Sequence, residues 1–251
     1  MLDVIGALVL GAICAADLAV LIGTAAIRAT AKWVAFTIAG TWVALLVAIA
    51  AAGDFAPAAG VKFPTPIIPF VILVVGGLLA WRAWPSFRDA LLSVPLVSLV
   101  GIHTVRIAGV FFLVLHAQGR LASPFAASAG WGDIIAGAGA IPLVALIAWK
   151  GTAPRWLLSV WNAVGALDLI TAVSLGALSA DGTPFRVFTE APGTAAMGTL
   201  PWVMIPAFLV PLFLMTHLVI AVRLRALRTN EMKSPAASDR FAPESVVRRI
   251  A

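Results

Sequence analysis

The sequence predicts an all-α polytopic membrane protein, a bundle of seven transmembrane helices. Of its 251 residues 62% are apolar and only 11% are charged, and the mean hydropathy is +1.05. Charged residues make up about a quarter of an ordinary soluble domain. The chain also contains seven apolar windows of about 20 residues, the length that a helix needs to cross a bilayer core. A separate soluble catalytic domain therefore has no place in this sequence.

The seven windows are separated by short loops that carry the charges and the turn residues. The first window begins where a signal peptide would lie, but its amino end carries Asp3 and no basic residue, and its apolar run is too long. We therefore expect it to remain as a transmembrane helix. In chain order the windows cover residues 4–27, 33–52, 64–81, 92–116, 133–149, 156–179 and 199–222.

The distribution of basic residues predicts the orientation of the bundle. Thirteen lie in the first, third and fifth loops and after the last window, whereas the other loops hold only Lys62, Arg120 and Arg186. Short loops rich in Lys and Arg stay in the cytoplasm. We expect the amino terminus outside, the carboxyl terminus inside, and a bacterial cytoplasmic (inner) membrane as the location.

Two regions follow from this division. Residues 1–222 form the seven-helix transmembrane domain, and residues 223–251 form a basic, mostly disordered cytoplasmic tail that contacts anionic lipid. The net charge of +6 would suggest nucleic acid in a soluble protein, but here it reports orientation and lipid contact. We therefore expect no nucleic-acid partner, and the sequence indicates no oligomeric state.

The loop before the fifth window carries signals of a short helix outside the membrane. Ser123 is a typical helix cap, Pro124 suits the first helical position, and Gly130 is a typical stop. Asp133 would then cap the fifth transmembrane helix.

Three segments resemble a family of uncharacterised bacterial seven-helix inner-membrane proteins. They are RIAGVFFLVLHAQGRLASPFAASAGWGDIIAG (106–137), WNAVGALDLITAVSLG (161–176) and LPWVMIPAFLVPLFLMTHL (200–218). The resemblance covers the last two thirds of the chain and implies an all-helical inner-membrane fold. It implies no substrate, cofactor or catalytic residue.

Ionisable residues inside the windows are the strongest functional signal. A charge at the bilayer centre costs about 3 kcal/mol or more, so such residues are usually functional and paired. Asp17, Arg106 and Asp168 lie at similar depth, and a planar guanidinium binds a carboxylate through two parallel hydrogen bonds. One cation facing two acids predicts that Asp17 or Asp168 carries a proton, with Asn162 nearby. The alternative is a structural ion pair that sets the helix register.

Two histidines support a different hypothesis. His103 and His217 lie at comparable depth near the cytoplasmic side, and neutral imidazoles are axial ligands of haem iron. Lone histidines in membrane helices more often bond a neighbouring helix, so haem binding is the alternative rather than the main prediction.

Three prolines recur every five residues in the seventh window. Pro201, Pro206 and Pro211 each remove a backbone donor, so the helix there must bend or open locally. This pattern is typical of a hinge beside a polar cavity, and also of a kinked packing helix.

The predicted function is a small-molecule or proton-coupled carrier. The rivals are a haem-binding electron-transfer or sensor subunit and a structural or assembly protein. An enzyme is not expected, because the chain offers no catalytic residue set and no metal site, and its single cysteine is Cys14. Lys32, Lys62, Lys150 and Lys233, which are all of its lysines, lie outside the windows, which argues against a retinal pigment.

Overall fold

The computed structural model describes residues 1–55 and 64–233, with side chains described through residue 226. This part of the chain contains helices and turns and no strand, so the all-α prediction is confirmed. The α-helices are α1 (Leu2–Thr24), α2 (Ala29–Ala51), α3 (Ile67–Ala83), α4 (Pro85–Ser93), α5 (Leu96–Gly101), α6 (Val110–Ala117), α7 (Phe125–Lys150), α8 (Arg155–Leu178) and α9 (Val210–Lys233).

Two stretches depart from α-helical geometry inside longer helices. A 3₁₀ helix over Ile102–Gly109 joins α5 to α6, and a π-helical turn over Ile205–Leu209 leads into α9. A second 3₁₀ helix covers Ala195–Gly198. Runs of 3₁₀ helix longer than three or four residues are uncommon, and π-helical turns are frequent at functional sites. Both stretches lie at the centre of the bundle.

Within the described residues, six helices are long and apolar enough to cross a membrane, which agrees with a multi-pass membrane protein. They are Leu2–Thr24, Ala29–Ala51, Leu96–Ala117, Phe125–Lys150, Arg155–Leu178 and Ile205–Ala226. A seventh candidate span is obtained only if α3 and α4 are counted together, and these two helices are bent by 106° relative to each other. The bend follows from Trp84, which has an extended backbone, and from Pro85, which starts the new helix.

The two ends of the bundle are held by contacts between distant parts of the chain. At one end, here called the amino-terminal end, Arg120 lies 2.8 Å from the Asp3 carboxylate and the Trp202 indole donates to the same oxygen at 2.7 Å. At the opposite end the Ala26 N–H donates to the Ser93 hydroxyl at 2.9 Å. α1 and the segment from α5 through α6 therefore run in opposite directions.

The predicted surface helix before the fifth window is wrong in one respect. Residues 125–130 are helical, but Gly130 does not end the helix, and α7 runs without a break from Phe125 to Lys150. Asp133 accordingly lies inside α7 and does not cap it. The helix stops only at Gly151, whose φ of 73° is the left-handed conformation that glycine adopts most readily.

The predicted division between a transmembrane domain and a tail at residue 222 stays a prediction. α9 continues through Lys233, so the predicted boundary at residue 222 falls within a helix. Residues 234–251, which make up most of the predicted tail, lie outside the described residues.

Candidate functional site

Four segments of the chain bring polar side chains together in the interior of the bundle. The 3₁₀ helix contributes His103 and Arg106, which project to the same side because residues three apart eclipse in this helix type. α7 contributes an acid, α8 an acid and an amide, and α9 a histidine and a threonine. We call Arg106, Asp133 and Asp168 the ionic cluster, and His103 with His217 the histidine pair.

Arg106 is the centre of the ionic cluster, and its side chain is 0% exposed. Nε donates to Oδ1 of Asp133 at 2.7 Å, and Nη2 donates to Oδ2 of Asp168 at 2.5 Å. Nη1 donates to the carbonyl oxygen of Gly165 at 3.2 Å and lies 3.2 Å from Nε2 of His217. A single guanidinium therefore serves two carboxylates, a backbone carbonyl and an imidazole.

The hydrogen bonds of His217 assign its tautomer. A guanidinium only donates, so Nε2 of His217 accepts from Arg106 and carries no hydrogen. Nδ1 then carries the hydrogen and donates to Oδ1 of Asn162 at 2.9 Å. The Asn162 amide nitrogen returns a bond to the His217 carbonyl oxygen at 3.2 Å. Asn162 thereby holds His217 with its acceptor toward the guanidinium.

The His103 ring packs against the His217 ring, with centroids 4.1 Å apart and ring planes tilted by 36°, and His103 is 0% exposed. The Thr216 hydroxyl donates to the Phe213 carbonyl at 2.9 Å, so it accepts from Nε2 of His103 at 3.1 Å. Nδ1 of His103 then bears the free lone pair, and it has no hydrogen-bond partner among the described residues. Buried acceptors of this kind are rare and call for a functional or solvent explanation.

Glycines allow the helices to approach closely enough for this network. A Cβ on Gly132 would lie 1.6 Å from Oδ1 of Asp168, and one on Gly109 would lie 2.5 Å from the Cβ of Asp133. A Cβ on Gly165 would lie 2.7 Å from the His217 ring. Real Cβ contacts are essentially never shorter than 3.0 Å. The small residues of this region therefore position the acids and the histidine.

The structure brings together most of the residues that the sequence singled out. Arg106 and Asp168 form an ion pair, and Asn162, His103 and His217 belong to the same network. Asp17 does not contact Arg106. It is 2% exposed on α1, and its Oδ2 has no partner in the described part of the chain.

Asp133 takes the place that the sequence analysis gave to Asp17. It was missed because the signals at Ser123 to Gly130 suggested that a new helix begins at residue 133. Counted from Phe125, Asp133 is the ninth residue of a continuous helix and lies about 12 Å along it. Asp133 shares one helical face with the small residues Ala136, Gly137 and Ala140. This spacing was the signal in the sequence that could have placed Asp133 inside the helix.

The geometry of the histidine pair does not fit haem. Axial imidazoles bind the iron from opposite faces of a porphyrin, whereas the rings of His103 and His217 contact each other directly. Trp161 and Phe213 close the space around His103, with ring centroids 5.3 and 5.2 Å away. No group of three or more metal-binding side chains occurs within the described ranges.

The three prolines lie where the last transmembrane segment departs from a regular α-helix. Pro201 lies in the turn before the segment, Pro206 lies in the π-helical turn, and Pro211 lies in the first turn of α9. The predicted local opening is present as π-helical geometry. Hinge motion at these residues stays a prediction.

The fold and the site define a class, a multi-pass helical membrane protein with a buried ionic cluster. Within that class, the chain belongs to the family described as Domain of unknown function (DUF8737), whose model matches residues 63–225, about two thirds of the chain. The match contains Arg106, Asp133 and Asp168. No curated protein and no solved structure matches the chain.

Proposed function

We propose that the protein is a proton-coupled carrier of a small molecule and that the ionic cluster is its proton site. The observation that carries this proposal is the sharing of one guanidinium between two carboxylates. With both acids ionised the cluster has a net charge of −1, and an uncompensated charge within a membrane domain costs several kcal/mol. One proton on either carboxylate removes that charge.

The exposure of the three side chains supports the acids as the groups that exchange the proton. The Arg106 side chain is 0% exposed, whereas those of Asp133 and Asp168 are 15% and 11% exposed. The Arg106 guanidinium is therefore enclosed by protein, whereas both carboxylates have surface that the protein does not cover.

A small cavity beside the ionic cluster supports the entry of a proton. A small cavity of about 30 Å³ lies against Arg106 and Asp133, and a cavity of about 10–15 Å³ is enough for a water molecule. On the other side Nδ1 of His103 offers a free acceptor within the histidine pair. Among the described residues no hydrogen bond joins this acceptor to the acids, and the guanidinium between the acids and His217 keeps its protons, so the cavity beside Asp133 is the entry that supports the proposal.

The irregular helices supply the movement that a carrier needs. His103 and Arg106 lie in the 3₁₀ helix, and the π-helical turn packs beside the cavity through Ile205 and Leu209. A 3₁₀ stretch inside a longer helix often marks a hinge, and π-helical turns are frequent at functional sites. Small changes there would move Arg106 relative to its two acids.

A structural role is the second candidate, and the tight packing favours it. Every nitrogen of the Arg106 guanidinium is already bonded, and glycines at 132 and 165 leave no free space around Asp168 and His217. A permanently closed cluster would hold the register of α7, α8 and α9 and bind no exchangeable proton.

An infrared experiment separates the two candidates. We expect the spectrum of the protein in lipid to gain, on lowering the pH, the carbonyl band of a carboxyl group in apolar surroundings. Asp168→Asn or Asp133→Asn should remove the pH-dependent part of that band, and Asp89→Asn, which changes an exposed acid, should leave it intact. If the unaltered protein and all three variants show the same pH-dependent band, the band belongs to a carboxyl group outside the ionic cluster, and the structural role is favoured.

The membrane placement is part of the same proposal. We infer seven crossings, with α3 as the third and α4, which is bent away from it by 106°, at the cytoplasmic end together with Arg28, Arg82 and Arg155. The alternation of basic residues between the loops supports this orientation. The same excess of cations supports contact with anionic lipid in a bacterial inner membrane.

A further inference from the structure

A second and larger cavity lies between the ionic cluster and the amino-terminal end of the bundle. Its volume is about 120 Å³, and it is bordered by α3, α8, the turn at 194–198 and the π-helical turn and is partly open to the surface. Four phenylalanines line it, Phe55, Phe70, Phe112 and Phe125. We call it the apolar pocket.

The polar side chains of the apolar pocket are already satisfied within the protein. The Thr65 hydroxyl donates to the Phe55 carbonyl at 2.6 Å, and the Thr194 hydroxyl donates to the Gly176 carbonyl at 3.3 Å. Asp181 forms an ion pair with Arg186. A charged or strongly hydrogen-bonding ligand would lose its hydration and gain no partner here. The pocket therefore selects an uncharged, apolar molecule.

The volume of the pocket suits a small molecule. An apolar cavity of about 150 Å³ accepts benzene or xenon, so about 120 Å³ fits a single ring. Aromatic walls suit such a ring, because aromatic groups pack edge to face and offset. A complete acyl chain of a membrane lipid is several times larger than this space.

Three side chains separate the apolar pocket from the ionic cluster. Phe112, Ile205 and Val210 line both the pocket and the small cavity against Arg106 and Asp133. Ile205 begins the π-helical turn, and Val210 begins α9. A molecule in the pocket thus lies one layer of side chains from the proton site, against a segment with irregular hydrogen bonding.

We propose that the apolar pocket binds a small uncharged molecule with a single ring, and that this class of molecule is the substrate of the carrier. The substrate assignment rests on the proposed function, whereas binding in the pocket does not. The layer of Phe112, Ile205 and Val210 separates substrate from proton, so movement of the π-helical turn couples the two sites.

Photolabelling tests this proposal directly. The protein in lipid nanodiscs is exposed to an uncharged phenyl diazirine, with and without excess toluene, and the labelled peptides are mapped by mass spectrometry. We expect labelling within residues 194–210 that saturates with probe and is displaced by toluene. Labelling of lipid-facing residues should rise linearly with probe concentration and resist displacement.

Two variants of α8 form a matched pair. Ala177→Phe puts a ring into the pocket, and Leu167→Phe puts the same ring on a side chain that is 61% exposed. We expect Ala177→Phe to lower the saturable labelling by about tenfold, which corresponds to about 1.4 kcal/mol of binding free energy. Leu167→Phe should leave it unchanged. Should Ala177→Phe not fold, saturation and displacement in the unaltered protein still decide the question.

The outcomes separate the two proposals. Labelling that never saturates, or that Leu167→Phe reduces as much as Ala177→Phe, overturns the pocket assignment. Displacement by added phospholipid but not by toluene identifies an acyl chain as the occupant and also overturns it. Saturable labelling in a protein that lacks the pH-dependent carboxyl band leaves the pocket as a ligand site and refutes the proton-coupled carrier. A pH-dependent carboxyl band in a protein without saturable labelling supports the proton site and overturns the pocket assignment.

Discussion

Replacement of Gly132 by alanine should break the ion pair between Arg106 and Asp168 without altering either residue. The added Cβ would lie 1.6 Å from Oδ1 of Asp168. Non-bonded carbon and oxygen atoms approach to about 3.3 Å, so the carboxylate must retreat by about 1.7 Å. The carboxyl carbon of Asp168 would lie 2.4 Å from the same Cβ and must move as well, so the bond from Nη2 of Arg106 to Oδ2, now 2.5 Å, is stretched or broken. Loss of one partner from a buried ion pair costs about 3–5 kcal/mol.

Equilibrium unfolding in mixed micelles measures this loss. Gly11→Ala is the matched control, since nothing lies within 4 Å of a Cβ at that position. Alanine is favoured over glycine in a helix by about 1 kcal/mol, so the control should be equal to the parent or slightly more stable. In a protein that already carries Asp168→Ala, adding Gly132→Ala should lower the free energy of unfolding only slightly, because the carboxylate that the new Cβ would meet is absent. A loss below about 1 kcal/mol for Gly132→Ala would refute the close approach of α7 and α8.

Three further predictions follow from the same geometry. Arg106→Lys should destabilise the protein nearly as much as Arg106→Ala, because one ammonium cannot reproduce the fork that holds two acids, and the same unfolding assay measures this. Arg106→Ala combined with Asp168→Asn should be less damaging than the sum of the two changes, whereas Asp17→Asn should add independently, and double-mutant cycles report the coupling. Reporter fusions after Gly182 should be periplasmic and those after Thr229 cytoplasmic, and a cytoplasmic signal after Gly182 would contradict the seven-span topology.

The helices were predictable because apolar length and loop charge are local properties of the sequence. The windows matched the observed helices to within a few residues where hydropathy alone decides, as in α2 and α8. The predicted helix boundaries were wrong around residues 123–133, where the capping signals favour two helices and the helical propensity favours one continuous helix. The packed interior resolves that competition, since Phe125 and Ala126 are buried against the rest of the bundle.

The site was partly predictable for a similar reason. Arg106, Asp168 and the histidine pair stand out because charged and polar residues are costly inside a membrane. Their partners depend on which helices touch, and that information lies in glycines such as Gly132, whose role appears only when the neighbouring helix is in place. Asp17 sits at a similar depth and remains apart from Arg106, so depth alone does not identify a partner.

The most direct test of the central claim, that the ionic cluster carries protons across the membrane, is proton entry into proteoliposomes. The liposomes contain a pH-sensitive dye, a membrane potential is imposed, and toluene is present as the uncharged ring. The account predicts faster proton entry than in protein-free liposomes with the same toluene, a return to the protein-free rate in Asp168→Asn, and no change in Asp89→Asn. Equal rates for the folded parent protein and protein-free liposomes, or equal rates for Asp168→Asn and the parent, would contradict it.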